Sequence, residues 1–197
     1  MDYVIHMIAY KKKYFLYIEN TKDIDLSNLK LPNKFVIIYR NQNKSKDFNR
    51  LLAFRRKCKV RKIEFYVANN FQLMLSLKAD GLYISSYNKS LNLARFKKSK
   101  FKIIGSVHNI KEINLKKQQG CESLIFSRLF KTNYKNKIDY MGIIKFNLVK
   151  LHRKENLVPL GGIRLSNLNK LNSVNSDAFA ILSEVKKKPA KIFNRLF

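Results

Sequence analysis

The sequence is poor in cysteine and has no long apolar run, and each shortage excludes a class of protein. Its two cysteines, Cys58 and Cys121, lie far apart, which argues against a disulfide framework and against a cysteine-based zinc site. We expect two reduced, partly buried thiols in a cytosolic protein. No apolar stretch reaches the roughly 18 residues that a transmembrane helix needs. The opening MDYVIHMIAYKKK places a short basic run after the apolar one, which is the wrong order for a secretory signal.

Acidic residues are also scarce: 13 Asp and Glu stand against 41 Lys and Arg, for a net charge of +28. Such an excess usually indicates a nucleic-acid ligand or an anionic surface. Here the lysines are spread along the chain among many asparagines and isoleucines, residues that all have A/T-rich codons, and the chain has neither a basic tail nor an aromatic–basic box. We therefore favour genomic bias and keep a basic nucleic-acid-binding barrel as a third alternative. The positive field would attract phosphorylated ligands in either case.

Short apolar runs rich in β-branched and aromatic residues recur along the chain, and each has the length of a strand buried on both faces of a parallel sheet. They cover residues 14–19, 35–40, 63–68, 81–85, 101–105, 123–127, 157–161 and 178–183. Apolar residues between some of the runs have helical spacing. These residues are Leu51, Leu52 and Phe54, then Leu73, Met74 and Leu77, and then Ile143, Ile144, Leu148 and Leu151.

Alternation of these strands with helices predicts an α/β fold, a compact (β/α)8 TIM barrel. The alternative, an open doubly wound sheet, would show a glycine-rich first βα turn, and YIENTKDI has no glycine. Only NTKDIDLSNLKLPNK joins the first two strands, so the first helix should be short or missing. We expect one domain over residues 1–197, with an N-terminal extension at 1–13, the barrel at 14–185 and a basic C-terminal helix at 186–197.

A faint internal repeat supports the barrel. The segments KADGLYIS, GCESLIFS and NSDAFAILS each place an acid before a strand and a serine at its end. In a parallel barrel the acids would lie at the N-terminal face, which serves stability, and the serines at the C-terminal face, which carries function. We therefore interpret Asp80, Glu122 and Asp177 as structural residues.

A glycine pair lies where such barrels commonly bind phosphate, after strands seven and eight. Gly161 and Gly162 end the seventh run, and Ser183 ends the eighth. The pair alone would predict only a tight turn. Its position favours a phosphate site, because glycine lets backbone N–H groups approach an anion closely.

Polar side chains follow the fifth and sixth strands. The segment GSVHN places Ser106 and His108 in the same ring of strand ends. The loop after strand six carries donors suited to a phosphorylated substrate, although a solvated basic loop remains the alternative. These donors are Arg128, Lys131, Thr132 and Lys135.

Four segments of the chain resemble a known family. SVHNIKE, GCESLIFSRLFKTNYK, PLGGI and DAFAILS are similar to the S-x-H-x-x-x-E, G-A-D-Y-x-x-x-G-P-x-F-x-T-x-x-K, A-I-G-G-I and D-G-x-A-V-I-S motifs of the thiamine phosphate synthase and TenI-like proteins. The motifs occur in the same order and at matching distances. The resemblance runs from about Tyr14 to Val185.

The resemblance implies a cytoplasmic transferase of thiamine biosynthesis on a TIM barrel. The family's synthases join hydroxymethylpyrimidine diphosphate to thiazole phosphate and release pyrophosphate with the help of Mg²⁺. The partners would be these phosphorylated small molecules, with no membrane, while the formation of homo-oligomers stays open. The implied thiazole-phosphate site comprises Gly161, Gly162, Leu182 and Ser183, with Thr132 beside it. Arg40, Ser106 and Lys135 would lie near the pyrophosphate.

The chain departs from the family at the metal site. The positions of the two metal-binding aspartates hold Asn69 and Asn88, and two amides lack the charge that attracts Mg²⁺. We hypothesise that local lysines compensate the diphosphate charge instead. Of the family's strand-two Q-x-R-x-K motif only Arg40 is present.

A second interpretation follows the TenI-like branch, whose members aromatise a thiazole phosphate by proton transfer. Its catalytic histidine corresponds to Arg128, and arginine is a poor general base. His108 is then the remaining candidate base. We rank a synthase-like transferase first. A tautomerase, or a non-catalytic binder of phosphorylated ligands, comes second.

Overall fold

The computed structural model describes residues 13–41, 47–92, 101–132 and 139–182. Eight parallel strands pair in chain order, and the first also pairs with the eighth, so the sheet closes into a barrel. The predicted TIM barrel is therefore confirmed. The strands are β1 Lys13–Ile18, β2 Phe35–Tyr39, β3 Glu64–Ala68, β4 Gly81–Ile84, β5 Lys102–Val107, β6 Ser123–Ser127, β7 Asn156–Leu160 and β8 Ala178–Ile181.

The strands are apolar throughout because each buries both of its faces. Alternate side chains fill the barrel interior and form the interior cluster. The others form an outer cluster between the sheet and the helices and loops that surround it. The interior cluster consists of Phe15, Tyr17, Val36, Ile38, Tyr66, Tyr83, Ile104, Ile125, Val158, Ala178 and Ala180.

Four α-helices cover the barrel in the described ranges, and three begin at a side chain that accepts a hydrogen bond from the first turn. Asp47 caps α1, Asn70 caps α2 and Asn109 caps α3. The helices are α1 Phe48–Val60, α2 Phe71–Ser76, α3 Ile110–Gln118 and α4 Gly142–Leu151.

Two connections use 3₁₀ turns in place of an α-helix. Between β1 and β2 there are only the 3₁₀ turns Leu26–Asn28 and Pro32–Lys34, so the first helix is missing, as expected. Between β7 and β8 lies the 3₁₀ helix Leu165–Ser173. Its buried residues, Leu168 and Leu171, contribute to the outer cluster.

In α4 the apolar spacing indicates the helix but not its buried face. Ile144, Leu148 and Leu151 are exposed, and Phe146 is the residue buried against the barrel. Since apolar side chains occur on more than one side of this helix, spacing alone could not select the face that packs.

The acid before β4 has the structural role that we expected. One Asp80 carboxylate oxygen accepts a hydrogen bond from the buried Arg55 guanidinium at 2.9 Å, and the other accepts one from the Phe65 N–H at 2.7 Å. Asp80 therefore ties α1 to the start of β3. The other two acids of the repeat take part in backbone hydrogen bonds at the starts of other strands. The Glu122 N–H donates to the Ile103 carbonyl at 2.8 Å, and the Asp177 carbonyl accepts from the Lys13 N–H at 3.0 Å.

The predicted N-terminal extension and C-terminal helix lie outside the described residues, apart from Lys13, which opens β1. Cys58 and Cys121 are both free thiols, the first buried and the second half-buried. None of the helices in the described ranges has the length and apolar character needed to cross a bilayer.

Candidate active site at the carboxyl ends of the strands

Polar side chains replace the apolar ones where the strands end at the carboxyl face of the barrel. Arg40, Ser106 and Ser127 each follow an interior residue by two positions, so their side chains turn towards the barrel axis. Ser106 and Ser127 are buried, and Arg40 is half-buried with its N–H bonded to the Ile18 carbonyl at 2.8 Å. Ser106 belongs to β5 itself, because that strand continues to Val107, two residues past the predicted end.

Two tyrosines form a layer inside the barrel, beneath the opening at its carboxyl face, which we call the mouth of the barrel. The Tyr17 hydroxyl donates to the Tyr83 hydroxyl at 3.1 Å, with the two rings edge to face, and Ser106 also hydrogen-bonds the Tyr83 hydroxyl. Burial raises the pKa of Tyr17 and of Tyr83. Both phenols therefore stay neutral at physiological pH, and the layer supplies hydroxyl groups without negative charge.

Asn69 and Asn88, at the two positions where the family resemblance expects metal-binding aspartates, lie in contact. Asn69 has a φ of +53°, a left-handed conformation that asparagine tolerates better than most residues. Its side-chain oxygen accepts hydrogen bonds from the Ser85 N–H at 3.0 Å and from the Asn88 amide at 3.4 Å. Its side-chain nitrogen donates to the Ser85 hydroxyl at 2.8 Å and to the Tyr87 hydroxyl at 2.9 Å.

This amide pair does not fit a magnesium site. The Asn69 oxygen, which would have to face the metal, already accepts protein hydrogen bonds. In the described ranges no group of three or more His, Cys, Asp and Glu side chains could hold a metal ion. Mg²⁺ in proteins is usually held through one or two carboxylates together with substrate phosphates, and the chain offers neutral amides at both positions.

The S-x-H-x-x-x-E segment forms a helix start and a hydroxyl–imidazole pair. Glu112 accepts hydrogen bonds from the His108 N–H and from the Asn109 side-chain amide, both at 2.8 Å, and thereby holds the first turn of α3. The His108 Nδ1 lies 2.6 Å from the Ser127 Oγ. The structure thus joins the ends of β5 and β6 through a hydroxyl and a ring nitrogen that can exchange a proton.

Gly161 and Gly162 form a corner against the loop that follows β6. Their φ values are +102° and +68°, a region that glycine adopts without steric cost. The Gly161 carbonyl accepts from the Phe130 N–H at 3.0 Å. A Cβ added at Gly162 would lie 2.5 Å from the Phe130 carbonyl oxygen. The pair therefore allows β7 and the β6 loop to approach more closely than residues with side chains could.

The same corner leaves backbone donors at the mouth of the barrel. Within the described ranges, the N–H groups of Gly161 and Gly162 donate no backbone hydrogen bond. The Arg128 guanidinium donates to the Thr132 hydroxyl at 3.0 Å in the adjoining loop. Leu182, at the end of β8, packs on the interior cluster. Lys135 and Ser183 lie outside the described residues.

Sequence reasoning missed several residues near the site. Ser127 was visible only as the serine that closes the second repeat segment, GCESLIFS, and the tyrosine layer carried no signal. Lys116 and Gln119 had a weak one, because they follow the buried Ile113 at helical spacing and so place polar groups on the buried face of α3.

A family model described as thiamine monophosphate synthase matches residues 28–185. The chain belongs to this family. Among curated relatives, the thiamine biosynthesis bifunctional protein ThiED of Geobacter sulfurreducens is 28% identical over 173 residues, which cover 81% of this chain. A thiamine-phosphate synthase of Clostridium perfringens is 30% identical over 151 residues, covering 75% of this chain and 73% of the relative.

The matched region is only part of some family members. The chain spans 35% of the length of the Geobacter relative and 37% of that of a Prochlorococcus marinus thiamine-phosphate synthase. Among solved structures, a thiamine phosphate pyrophosphorylase of Pyrococcus furiosus superposes with a TM-score of 0.72 at 17% identity, covering 96% of this chain and 95% of that one. At this identity the superposition supports the fold.

Proposed function

We propose that the chain is a divergent thiamine phosphate synthase, a transferase that joins hydroxymethylpyrimidine diphosphate to thiazole phosphate. One observation carries the proposal. The Gly161–Gly162 corner is built against the β6 loop at the carboxyl face of the barrel, within the region that the family model matches. This corner is where the family resemblance expects the thiazole phosphate.

The thiazole phosphate binds through backbone groups in this proposal. The Gly161 and Gly162 N–H groups, which donate no backbone hydrogen bond within the described residues, would bind the phosphate. Thr132 would add a hydroxyl, and the Arg128 guanidinium, which donates to that hydroxyl, would add permanent positive charge. Anions are bound well by convergent backbone N–H groups. Leu182, which packs on the interior cluster, remains a predicted part of the site, as do Lys135 and Ser183.

The coupling step breaks the bond between the pyrimidine methylene carbon and the diphosphate oxygen. A bond from that carbon to the thiazole ring forms, and pyrophosphate leaves with the electron pair. Groups that stabilise the growing charge on the leaving oxygen accelerate such a step. Arg40 and Ser106 turn towards the axis at the mouth of the barrel, and the Ser127–His108 pair can donate a proton. No step in this proposal uses a metal ion.

The test is turnover with both substrates, followed as pyrophosphate released and thiamine phosphate formed. We expect both products together, and neither product with one substrate alone. Arg40→Met should lower kcat/KM about 100-fold, because it removes a charge at the leaving group. The matched control is Arg50→Met, which removes the same charge from the exposed start of α1 and should leave kcat/KM unchanged. Absence of both products at every Mg²⁺ concentration would refute the proposal.

A thiazole-phosphate tautomerase is the second candidate, and the 2.6 Å contact of Ser127 and His108 favours it. A hydroxyl paired with an imidazole can remove a ring proton and return one at another position. This activity predicts deuterium incorporation into thiazole phosphate in the absence of the pyrimidine substrate. His108→Gln should abolish the incorporation, whereas His152→Gln, at the exposed end of α4, should not.

A further inference from the structure

A lysine ammonium is buried directly beneath the loop that carries the amide pair. Lys116, on α3, has no exposed surface. Its Nζ donates to the Ser85 carbonyl at 2.7 Å, and to the Asn88 carbonyl and the Gln119 side-chain oxygen at 2.8 Å each. Two of the three acceptors thus belong to the loop that follows β4.

The three contacts require the charged form of Lys116. An ammonium group has three N–H donors, whereas a neutral amine has two, so only the ammonium matches three acceptors. Burial lowers the pKa of Lys116, and the nearby Cys121 and Glu112 raise it in part. A buried charge is costly unless hydrogen bonds surround it. Each of the three N–H donors of Lys116 has an oxygen acceptor, and these hydrogen bonds offset the cost of burying the charge.

The surroundings of Lys116 are shaped to admit it. A Cβ added at Gly105 would lie 3.1 Å from the lysine Cδ and 2.8 Å from the Cys121 sulfur. Gln119 reinforces the same loop, because its Nε2 donates to the Asn88 carbonyl at 2.9 Å and to the Ser90 carbonyl at 2.8 Å. Lys116 and Gln119 therefore hold the loop by its backbone from below.

The loop passes this restraint on to the site. The Asn88 carbonyl is held by Lys116 and Gln119, while the Asn88 side-chain amide reaches the Asn69 oxygen. Ser85 likewise presents its carbonyl to Lys116 and its N–H and hydroxyl to Asn69. Each of the two loop residues links the buried cation to the amide pair.

We propose that Lys116 is a positioning residue, an internal cation that holds residues 85–90 so that the Asn88 side chain, braced against Asn69, faces a diphosphate with no divalent metal bound. The choice of diphosphate rests on the proposed function. The restraint on the loop is independent of it. Lys116 thus places a buried positive charge of the protein beneath the loop that carries Asn88.

The experiment compares Lys116→Met with Lys117→Met. Both remove one positive charge from α3, but Lys117 is exposed and pairs with Glu155 at 2.7 Å. Hydrogen exchange of the amides of residues 85–90 measures the restraint. Calorimetric titration in EDTA with pyrophosphate, and separately with thiazole phosphate, measures the effect on ligands.

We expect Lys116→Met to accelerate exchange in the loop and to weaken pyrophosphate binding, each by about ten-fold, since hydrogen bonds to a charged group are lost. Affinity for thiazole phosphate, held at the glycine corner, should not change. Lys117→Met should leave all three quantities as in the wild type. A protein that is merely destabilised would lose both ligands together, which would contradict positioning.

Loop exchange that is unchanged in Lys116→Met would overturn the inference. If that variant does not fold, Gln119→Leu removes one acceptor of Lys116 and two bonds to the loop, and should change loop exchange and pyrophosphate affinity in the same direction. If the wild type binds no pyrophosphate, the proposed diphosphate ligand is wrong, and so is the part of the inference that depends on it. Loop exchange still decides the restraint in that case.

Discussion

At the scale of the residue, two glycines with similar φ angles differ in what a side chain would meet. Gly162 has a φ of +68° and Gly142 a φ of +74°. A Cβ at Gly162 would press on the backbone of Phe130 and Lys131, whereas a Cβ at Gly142 would meet nothing within 4 Å. The two sites thus separate the cost of the backbone conformation from the cost of the contact.

We therefore predict that Gly142→Ala loses about 1 kcal/mol of the free energy of unfolding, the cost of a strained φ. Gly162→Ala should lose about 2 kcal/mol more, because the backbone of the β6 loop must move. It should also weaken binding of thiazole phosphate, which Gly142→Ala should not. Chemical denaturation and calorimetry of the two variants measure these effects. Equal losses of stability would contradict the tight corner.

Residue contacts at the site could be predicted only in part. The glycine pair, Ser106 and His108 were found because strand order predicts which positions share the carboxyl face. The contact of Asn69 with Asn88 depends on how the β4 loop folds back, and that of Lys116 with Ser85 joins residues of different βα units. Neither contact leaves a pattern along the chain, because both partners are set by tertiary packing.

At the scale of the element, an acid on β3 links three strands at the N-terminal end of the barrel. Glu64 pairs with Lys13 of β1 and, at 3.7 Å, with Lys102 of β5, and accepts a hydrogen bond from the Tyr66 hydroxyl at 2.9 Å. Burial alone would raise the pKa of Glu64. The hydrogen bonds of Lys13 and Tyr66 and the charges of both lysines outweigh burial and lower it.

A lowered pKa in the folded state means that Glu64 stabilises the fold above its unfolded pKa of about 4.3. That contribution is lost as pH falls through the folded pKa. Glu64→Gln should therefore cost about 1 kcal/mol at pH 7, a value reduced by solvent screening, and the difference from wild type should narrow as the pH falls from 7 to below the unfolded pKa of about 4.3. Urea denaturation across this range measures it. Glu122→Gln, an exposed acid at the same end of the barrel, is the control, and an equal cost there would contradict the linkage.

Elements were predicted more completely than contacts. All eight strands were predicted within two residues at each end, because each is a short apolar run buried on both faces. The helix Ile110–Gln118 was not identified, since its buried face includes a lysine and its apolar spacing is weak. The 3₁₀ helix after β7 also lay beyond prediction, because 3₁₀ and α turns share similar sequence preferences.

At the scale of the whole molecule, the net charge of +28 acts on stability as well as on ligands. Self-repulsion among like charges destabilises a compact state, and salt screens it. We expect the Tm to rise by about 5 °C between low salt and about 0.5 M NaCl. Sodium chloride is preferable to sulfate because sulfate would compete at a phosphate site. A Tm that falls with added chloride would show that attractive ion pairs dominate.

The central claim is that the chain keeps a phosphate-binding corner at Gly161 and Gly162 but has no carboxylate at Asn69 and Asn88, where the family resemblance expects a metal site. Calorimetric titration of the wild-type protein with thiazole phosphate in EDTA tests this claim most directly. We predict binding at one site per chain, with an affinity that added Mg²⁺ does not change. No binding, or binding that appears only when Mg²⁺ is present, would contradict it.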